Sequence, residues 1–263
     1  MHTRLLHVSD LHTGTHEEQE AQQALARLVK QTEPQLVVAS GDLAHRGRRE
    51  QLERAAALLR SLGPPVLAVP GNHDLPYLPS RFVQPWAEFE RVWETTEPTA
   101  TLPGLHVVGL NSARPFRQQG GALNAAQLRG ARERLSAAEA GALRVAVLHH
   151  HLLGAPWRAA RKRPVSRRNH VLRTLVDAGA DLILAGHIHQ AAVSERHEFE
   201  VVGDEARTAV VAIAPGLGQP RPRRLGEARG LHVHEADEEA IVTRTYRWSG
   251  GDWKLGAERR FLR

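Results

Sequence analysis

Short apolar runs rich in Val, Leu and Ile recur at 5–8, 36–39, 66–69, 105–110, 145–148 and 182–185. A continuous run of this length suits a strand buried on both faces. Between the runs, 17–31 and 49–62 carry the apolar spacing of amphipathic helices, and Gly63-Pro64-Pro65 stops the second. Two further helices are expected at 124–135 and 169–178, each opened by an Asn whose side chain can cap the first turn. Strands alternating with helices are the pattern of βαβ units around a buried sheet, so the fold class is α/β. After about residue 196 the texture changes. Segments 199–202, 208–213, 231–235 and 240–248 read as strands without intervening helices, and Ser249-Gly250-Gly251-Asp252 as a hairpin turn into 253–255. This tail is too short to bury a core of its own. It is expected to complete a second sheet, giving one domain over 1–263 in which 1–195 is the βαβ-type core and 196–263 the closing strands.

The chemistry lies at the carboxyl end of each run. The first leads into Ser9-Asp10-Leu11-His12 and the second into Ser40-Gly41-Asp42. The third gives Pro70-Gly71-Asn72-His73-Asp74, the fifth His149-His150-His151 and the sixth Gly186-His187-Ile188-His189. Ligands of an open α/β sheet bind outside the carboxyl ends of its strands, so these donors are expected to converge. Residues two apart on an extended segment face one side, which pairs Asp10 with His12 and His187 with His189. Asp10 to Asp42 and Asp42 to Asn72 are each separated by about 30 residues, the length of a βαβ unit. Carboxylate, amide and imidazole together suit manganese, iron, zinc or cobalt rather than calcium, which prefers oxygen shells. The donors outnumber the needs of one ion, and paired ions about 3.5–4 Å apart clamp the two oxygens of an in-line displacement at phosphorus.

Composition narrows the alternatives. The 263 residues include no cysteine, which excludes disulfides, thiolate zinc sites, iron–sulfur clusters and cysteine nucleophiles. No stretch approaches the roughly 18 apolar residues of a membrane span, and a soluble, cytoplasmic protein without membrane partners is expected. The formal charge of +6 favours anionic partners. Lysine occurs only at Lys30, Lys162 and Lys254, so the charge is nearly all arginine, and a compositional bias explains that as well as nucleic-acid binding does. Nucleic acid is therefore a partner not favoured by charge alone. The phosphate loop, the Gly-x-Ser-x-Gly elbow and the His-Glu-x-x-His helix are all missing from the sequence.

Asp-x-His, Gly-Asp, Gly-Asn-His-Asp, a strand-ending histidine and Gly-His-x-His, in this order over residues 5 to about 190, resemble the calcineurin-like metallophosphoesterase superfamily. Gly41-Asp42-Leu43-Ala44, the triple histidine and Gly186-His187-Ile188-His189-Gln190 are most similar to its bacterial class III cyclic-nucleotide phosphodiesterase branch. The resemblance implies a four-layer α-β-β-α sandwich with two mixed β-sheets. It implies a first metal ion on Asp10, His12 and His189, a second on Asn72, His149 and His187, and Asp42 bridging them. His73 would stabilise or protonate the leaving oxygen. The resemblance also implies two ions of the manganese, iron or zinc type and a small phosphoester substrate, and a homodimer is a candidate assembly by analogy. In that branch a proline usually comes after the strand-ending histidines, whereas Leu152-Leu153 stand here; strand register favours His149 as ligand, with His150 the competing choice.

The function this reading expects is a dinuclear-metal phosphodiesterase acting on a small nucleotide-type substrate. Its rivals are a phosphomonoesterase, a DNA nuclease of the double-strand-break-repair type and a non-catalytic scaffold of the same fold. Alone, an Asp-x-His or a Gly-Asp is an ordinary turn; the ordered combination carries the reading. Asp74 is expected to brace its loop, His151 to be structural, and the remaining histidines to sit on the surface or satisfied in the core, with His45 bordering the crevice. The basic stretch Arg158, Arg161, Lys162, Arg163, Arg167 and Arg168 either grips substrate phosphate or forms a solvated loop. Arg221, Arg223, Arg224 and Arg229 are weaker candidates of the same kind, and Trp86 and Trp93 are expected in packing or dimer contacts.

Overall fold

The computed structural model describes residues 2–15, 19–77, 79–153, 162–189, 192–197, 208–218 and 229–263. Strands β1 (Thr3–Val8), β2 (Leu36–Ala39) and β3 (Val66–Ala68) pair in parallel, connected through helices α1 (Gln19–Thr32) and α2 (Arg49–Arg60). Short helices α3 (Ser80–Val83) and α4 (Ala87–Trp93) then lead to the hairpin of β4 (Thr99–Leu102) and β5 (Leu105–Leu110). Helix α5 (Ala125–Ser136), β6 (Leu143–Leu148), α6 (Arg168–Asp177) and β7 (Leu182–Ala185) continue the strand–helix alternation. Five strands close the chain: β8 (Ala192–His197), β9 (Thr208–Ile213), β10 (Gly230–Ala236), β11 (Ala240–Ser249) and β12 (Asp252–Leu262).

The strands form two six-stranded mixed sheets, ordered β12-β11-β10-β1-β2-β3 and β4-β5-β6-β7-β9-β8. Side-chain alternation divides the core into three layers. Leu5, Leu36, Val38 and Leu67 of one sheet meet Val107, Val145, Leu182 and Val210 of the other between the sheets. The opposite face of β1 and β2, carrying Leu6, Val8, Val37 and Ala39, is covered by α1 and α2. On α1 the buried positions Ala21, Ala24, Leu25, Leu28 and Val29 form one stripe at helical spacing. Helices α5 and α6 cover the outer face of the second sheet through Leu128, Leu135, Val171 and Leu175. The result is a four-layer α-β-β-α sandwich.

The structure corrects the expected layout in several places. The six apolar runs divide between the two sheets, and the tail supplies both: β9 joins the second sheet, beside a β8 that begins before the tail at Ala192, whereas β10, β11 and β12 extend the first beside β1. The tail therefore does not simply complete a second sheet. Helix α6 begins at Arg168 behind a left-handed Arg167 (φ 54°), so Asn169 lies inside the first turn instead of capping it. Asn124 does cap α5, in a capping box with Gln127. Segment 199–202 lies outside the described residues.

Candidate metal centre

The donors stand where β1, β2, β3, β6 and β7 end. Backbone pairing of β1 with β2 runs past the strands, through Asp10 N–H to Gly41 O (2.9 Å) and His12 N–H to Asp42 O (2.9 Å). On the other side Gly218 N–H donates to the Asp10 carbonyl at 2.9 Å, and Gly186 N–H to that of His149 at 3.0 Å. These bonds hold a backbone that is itself unusual. Asp10, His12, Asp42, His187 and His189 all have positive φ, between 49° and 74°. A non-glycine residue there carries strain that the surrounding pairing must hold in place. The expected pairs Asp10/His12 and His187/His189 thus face a common site, but through left-handed turns and not through extended alternation.

Two groups of donors result, Asp10 with His12 and His189, and Asp42 with His149 and His187. In the first, His189 Nε2 lies 3.2 Å from Asp10 Oδ1. His12 Nε2 is 3.4 Å from His189 Nε2 and 3.9 Å from Asp10 Oδ1. In the second, His149 Nε2 is 3.4 Å from Asp42 Oδ2 and 3.2 Å from His187 Nδ1. Donors about 2.1 Å from a shared centre are roughly 3.0 Å apart at right angles and roughly 3.4 Å apart at the tetrahedral angle. The spacings of 3.2–3.4 Å fit ligands around a cation in each group, and the 3.9 Å from His12 to Asp10 is wider than either angle gives. Asp42 Oδ2 also lies 3.8 Å from His12 Nε2, so one oxygen reaches both groups.

The remaining bonds orient these atoms. Asp42 Oδ1 accepts the His73 backbone N–H at 2.8 Å, leaving Oδ2 for the centre. Asp10 Oδ2 accepts from Ser9 Oγ (2.7 Å) and the His187 N–H (2.9 Å), leaving Oδ1. His149 Nδ1 faces the Ser40 carbonyl at 2.8 Å, which places a proton on Nδ1 and turns Nε2 to the centre. Asp10 Oδ1, Asp42 Oδ2 and Asn72 Oδ1 are buried without hydrogen-bond partners. Buried polar atoms left unpaired are costly, and bound cations would satisfy these oxygens. A Cβ on Gly71 would overlap the Asp42 carboxylate, and one on Gly186 would overlap Ser9 Oγ.

Electrostatics agree with ionised carboxylates. Burial opposes charge on Asp10, yet His189 and His149 hold its carboxyl below the usual range. Asp42 is buried in the same way and is held low by His149 and His73. Burial disfavours the protonated form of His149, but Asp42 outweighs it and raises this imidazole to about 9. Burial, together with Asp42, pushes Asp74 up to about 7 despite N–H bonds from Gly71, Ala44 and Leu43. Its oxygens accept from Ala44 and Gly71 at 2.7 Å each, so Asp74 braces the loop.

His150 turns Nδ1 to Ser112 Oγ at 2.9 Å, and among the described residues it joins neither donor group. His73 presents Nδ1 to the carbonyl of His45 at 2.9 Å. His45, expected only to border the crevice, forms a third imidazole group with His12 and His73. Its position three residues after Asp42 was the available signal. Arg229 is buried, donates from Nε to the Leu217 carbonyl at 2.7 Å, and lies over Trp248 and Trp253, so it faces the interior and not the crevice. Of the basic stretch, Arg158 and Arg161 lie outside the described residues, as do Arg221, Arg223 and Arg224.

Residues 3–191 match the family model of the calcineurin-like phosphoesterases, and the chain belongs to that family. Over 178 residues it is 29% identical to a probable cyclic nucleotide phosphodiesterase of Synechococcus sp., covering 64% of this chain and 63% of that protein. A purple acid phosphatase isolated from yellow lupin (Lupinus luteus) seeds superposes with a TM-score of 0.73 at 11% identity, over 99% of this chain and 53% of that one. PhoD superposes with a TM-score of 0.70 at 11% identity, over 99% of this chain and 70% of PhoD. At such identities the two superpositions establish a shared fold. The chain spans about half the length of the lupin enzyme and 63% of the Synechococcus relative.

Proposed function

We propose that the protein is a dinuclear-metal-dependent phosphoester hydrolase, a phosphodiesterase acting on a small nucleotide-type substrate. The observation that carries this reading is Asp42 Oδ2, at 3.4 Å from His149 Nε2 and 3.8 Å from His12 Nε2. One carboxylate oxygen serves two groups of buried donors. Asp10, His12 and His189 would hold one ion, and Asn72, His149 and His187 the other. The ions, of the manganese, iron or zinc type, would supply Lewis-acid polarisation of the phosphoryl group and an activated water. Ser9 and the His187 N–H fix Asp10, and the Ser40 carbonyl fixes the His149 tautomer. His73 anchors Nδ1 on the His45 carbonyl, which leaves Nε2 for the substrate side, where a proton on it can pass to the departing oxygen. The Synechococcus relative supports a diester over a monoester as substrate.

Metal analysis of the purified protein together with turnover of bis(p-nitrophenyl) phosphate and p-nitrophenyl phosphate tests this. Asp42→Asn should reduce the bound metal and lower diester turnover by about two orders of magnitude or more. Unchanged turnover in Asp42→Asn, or full activity after chelation, overturns the proposal.

A further inference from the structure

At the open edge of the candidate metal centre, His12, His45 and His73 each bring one ring nitrogen within 4.8 Å of the others. An imidazole bound through nitrogen at about 2.05 Å puts its ring centroid about 3.2 Å from a zinc-type ion, and two such centroids at the tetrahedral angle stand about 5.2 Å apart. The observed centroids bracket that value. They lie 4.8 Å apart for His12 and His73, 5.6 Å for His45 and His73, and 5.8 Å for His12 and His45.

The state of the nitrogens agrees. His73 turns Nδ1 to the His45 carbonyl, which leaves Nε2. Nδ1 of His45 is buried without a hydrogen-bond partner, and so is Nδ1 of His12, a residue only 2% exposed. Buried ring nitrogens left unpaired call for a partner. His12 turns Nε2 toward Asp10 and His189, so it borders both groups and ties this one to the first. His45 and His73 are partly exposed and line a cavity of about 230 Å³, which gives an ion an approach and leaves room for water as a further ligand.

This group also differs in chemistry from the other two. Each of those includes a carboxylate, Asp10 or Asp42, whereas this one is imidazole alone. Imidazole nitrogens suit zinc, and manganese and magnesium favour sites with carboxylate oxygen. The Arg81 guanidinium on the cavity wall opposes any cation there, so binding is expected to be weaker than at the carboxylate groups.

We propose that His12, His45 and His73 bind one further zinc-type ion, separate from the pair assigned above, and that this ion inhibits hydrolysis by occupying Nε2 of His73. The ion site itself stands apart from the hydrolase reading; the inhibition rests on that reading, because it takes His73 as the group facing the departing oxygen.

Equilibrium dialysis of the full chain against zinc and, separately, against manganese, followed by metal analysis, tests the site. The protein should hold one more equivalent of zinc than of manganese. His45→Asn and His73→Asn should each lose that surplus and keep the manganese count. Equal zinc and manganese counts, or a surplus that survives both substitutions, overturn the inference. Zinc titrated into the manganese-loaded protein should suppress turnover of bis(p-nitrophenyl) phosphate, and in His45→Asn the zinc concentration needed should rise at least about tenfold. The same inhibitory concentration in both proteins overturns the inhibition. A zinc surplus lost in His45→Asn, in a protein with no manganese-supported turnover, would overturn the hydrolase reading and leave the third ion site standing.

Discussion

Gly186→Ala probes how tightly the two sheets are locked at the donors. Gly186 comes directly after β7, and a Cβ there would fall inside van der Waals contact of Ser9 Oγ and 2.7 Å from Asp10 Oδ2. Ser9 is fully buried and cannot move into solvent. Its hydroxyl donates to Asp10 Oδ2 at 2.7 Å and lies 3.3 Å from the Ser40 carbonyl. The added methyl group therefore costs an overpacking term of about 1–3 kcal/mol and loses a buried, charge-assisted hydrogen bond of about 1.5–3 kcal/mol. A loss of about 3–5 kcal/mol is expected, a large share of the roughly 5–15 kcal/mol that holds a domain folded. Urea unfolding followed by tryptophan fluorescence in chelator measures it, with metal content determined in parallel. Ser9→Gly removes the obstructing side chain, so the double variant Ser9→Gly/Gly186→Ala should be less destabilised than the two single effects added, by about 1 kcal/mol or more. An unchanged midpoint in Gly186→Ala, or strict additivity in the double variant, refutes the close-approach argument.

The core and the caps each give a further expected outcome. Burial holds His7, His232 and His234 below the usual 6.5, His232 at about 4. Because the unfolded chain takes up these protons and the folded one does not, the contribution of these three groups should be whole above about pH 6.5, while His149, raised to about 9, acts in the opposite direction. The contribution of the three should fall toward about pH 4, by up to roughly 4 kcal/mol per pH unit if all three respond. A urea midpoint equal at pH 7.5 and 5.5 in chelator would sink this account. Asn124→Ala breaks the capping box of α5, in which Gln127 N–H donates to Asn124 Oδ1 at 2.8 Å and Asn124 N–H to Gln127 Oε1 at 3.0 Å. A loss of about 1 kcal/mol without change in metal content is expected from the same unfolding assay, and an unaltered midpoint counts against the cap.

The parts of the fold that were legible were those in which one local signal suffices. Val145, Ala146, Val147 and Leu148 are apolar because both faces of β6 are covered, so the strand announces itself. The edge strand β4 reads Thr-Ala-Thr-Leu and is only half-buried, so no apolar run marks it. Strand β12 carries Lys254, Glu258, Arg259 and Arg260 on exposed positions, and only pairing with β11 through a register shift at Thr245/Tyr246 extends it to Leu262. Asn169 shows the reverse case. A good capping residue was present, yet the left-handed Arg167 takes the cap position two residues earlier.

At the site, composition and order determined which residue types gather: a carboxylate or imidazole after each of several strands, without a thiol, is a donor set that suits a transition metal. Local sequence could not determine how they gather. Asp10, His12, Asp42, His187 and His189 adopt left-handed backbone that their own side chains disfavour, and they hold it because bonds from the neighbouring strand ends and loops leave no alternative. Nor does any local pattern state that His45 turns toward His12 and His73, or that β10 comes to lie beside β1. Those contacts join residues far apart in the chain, and only the packed sheets supply the energy that holds them together.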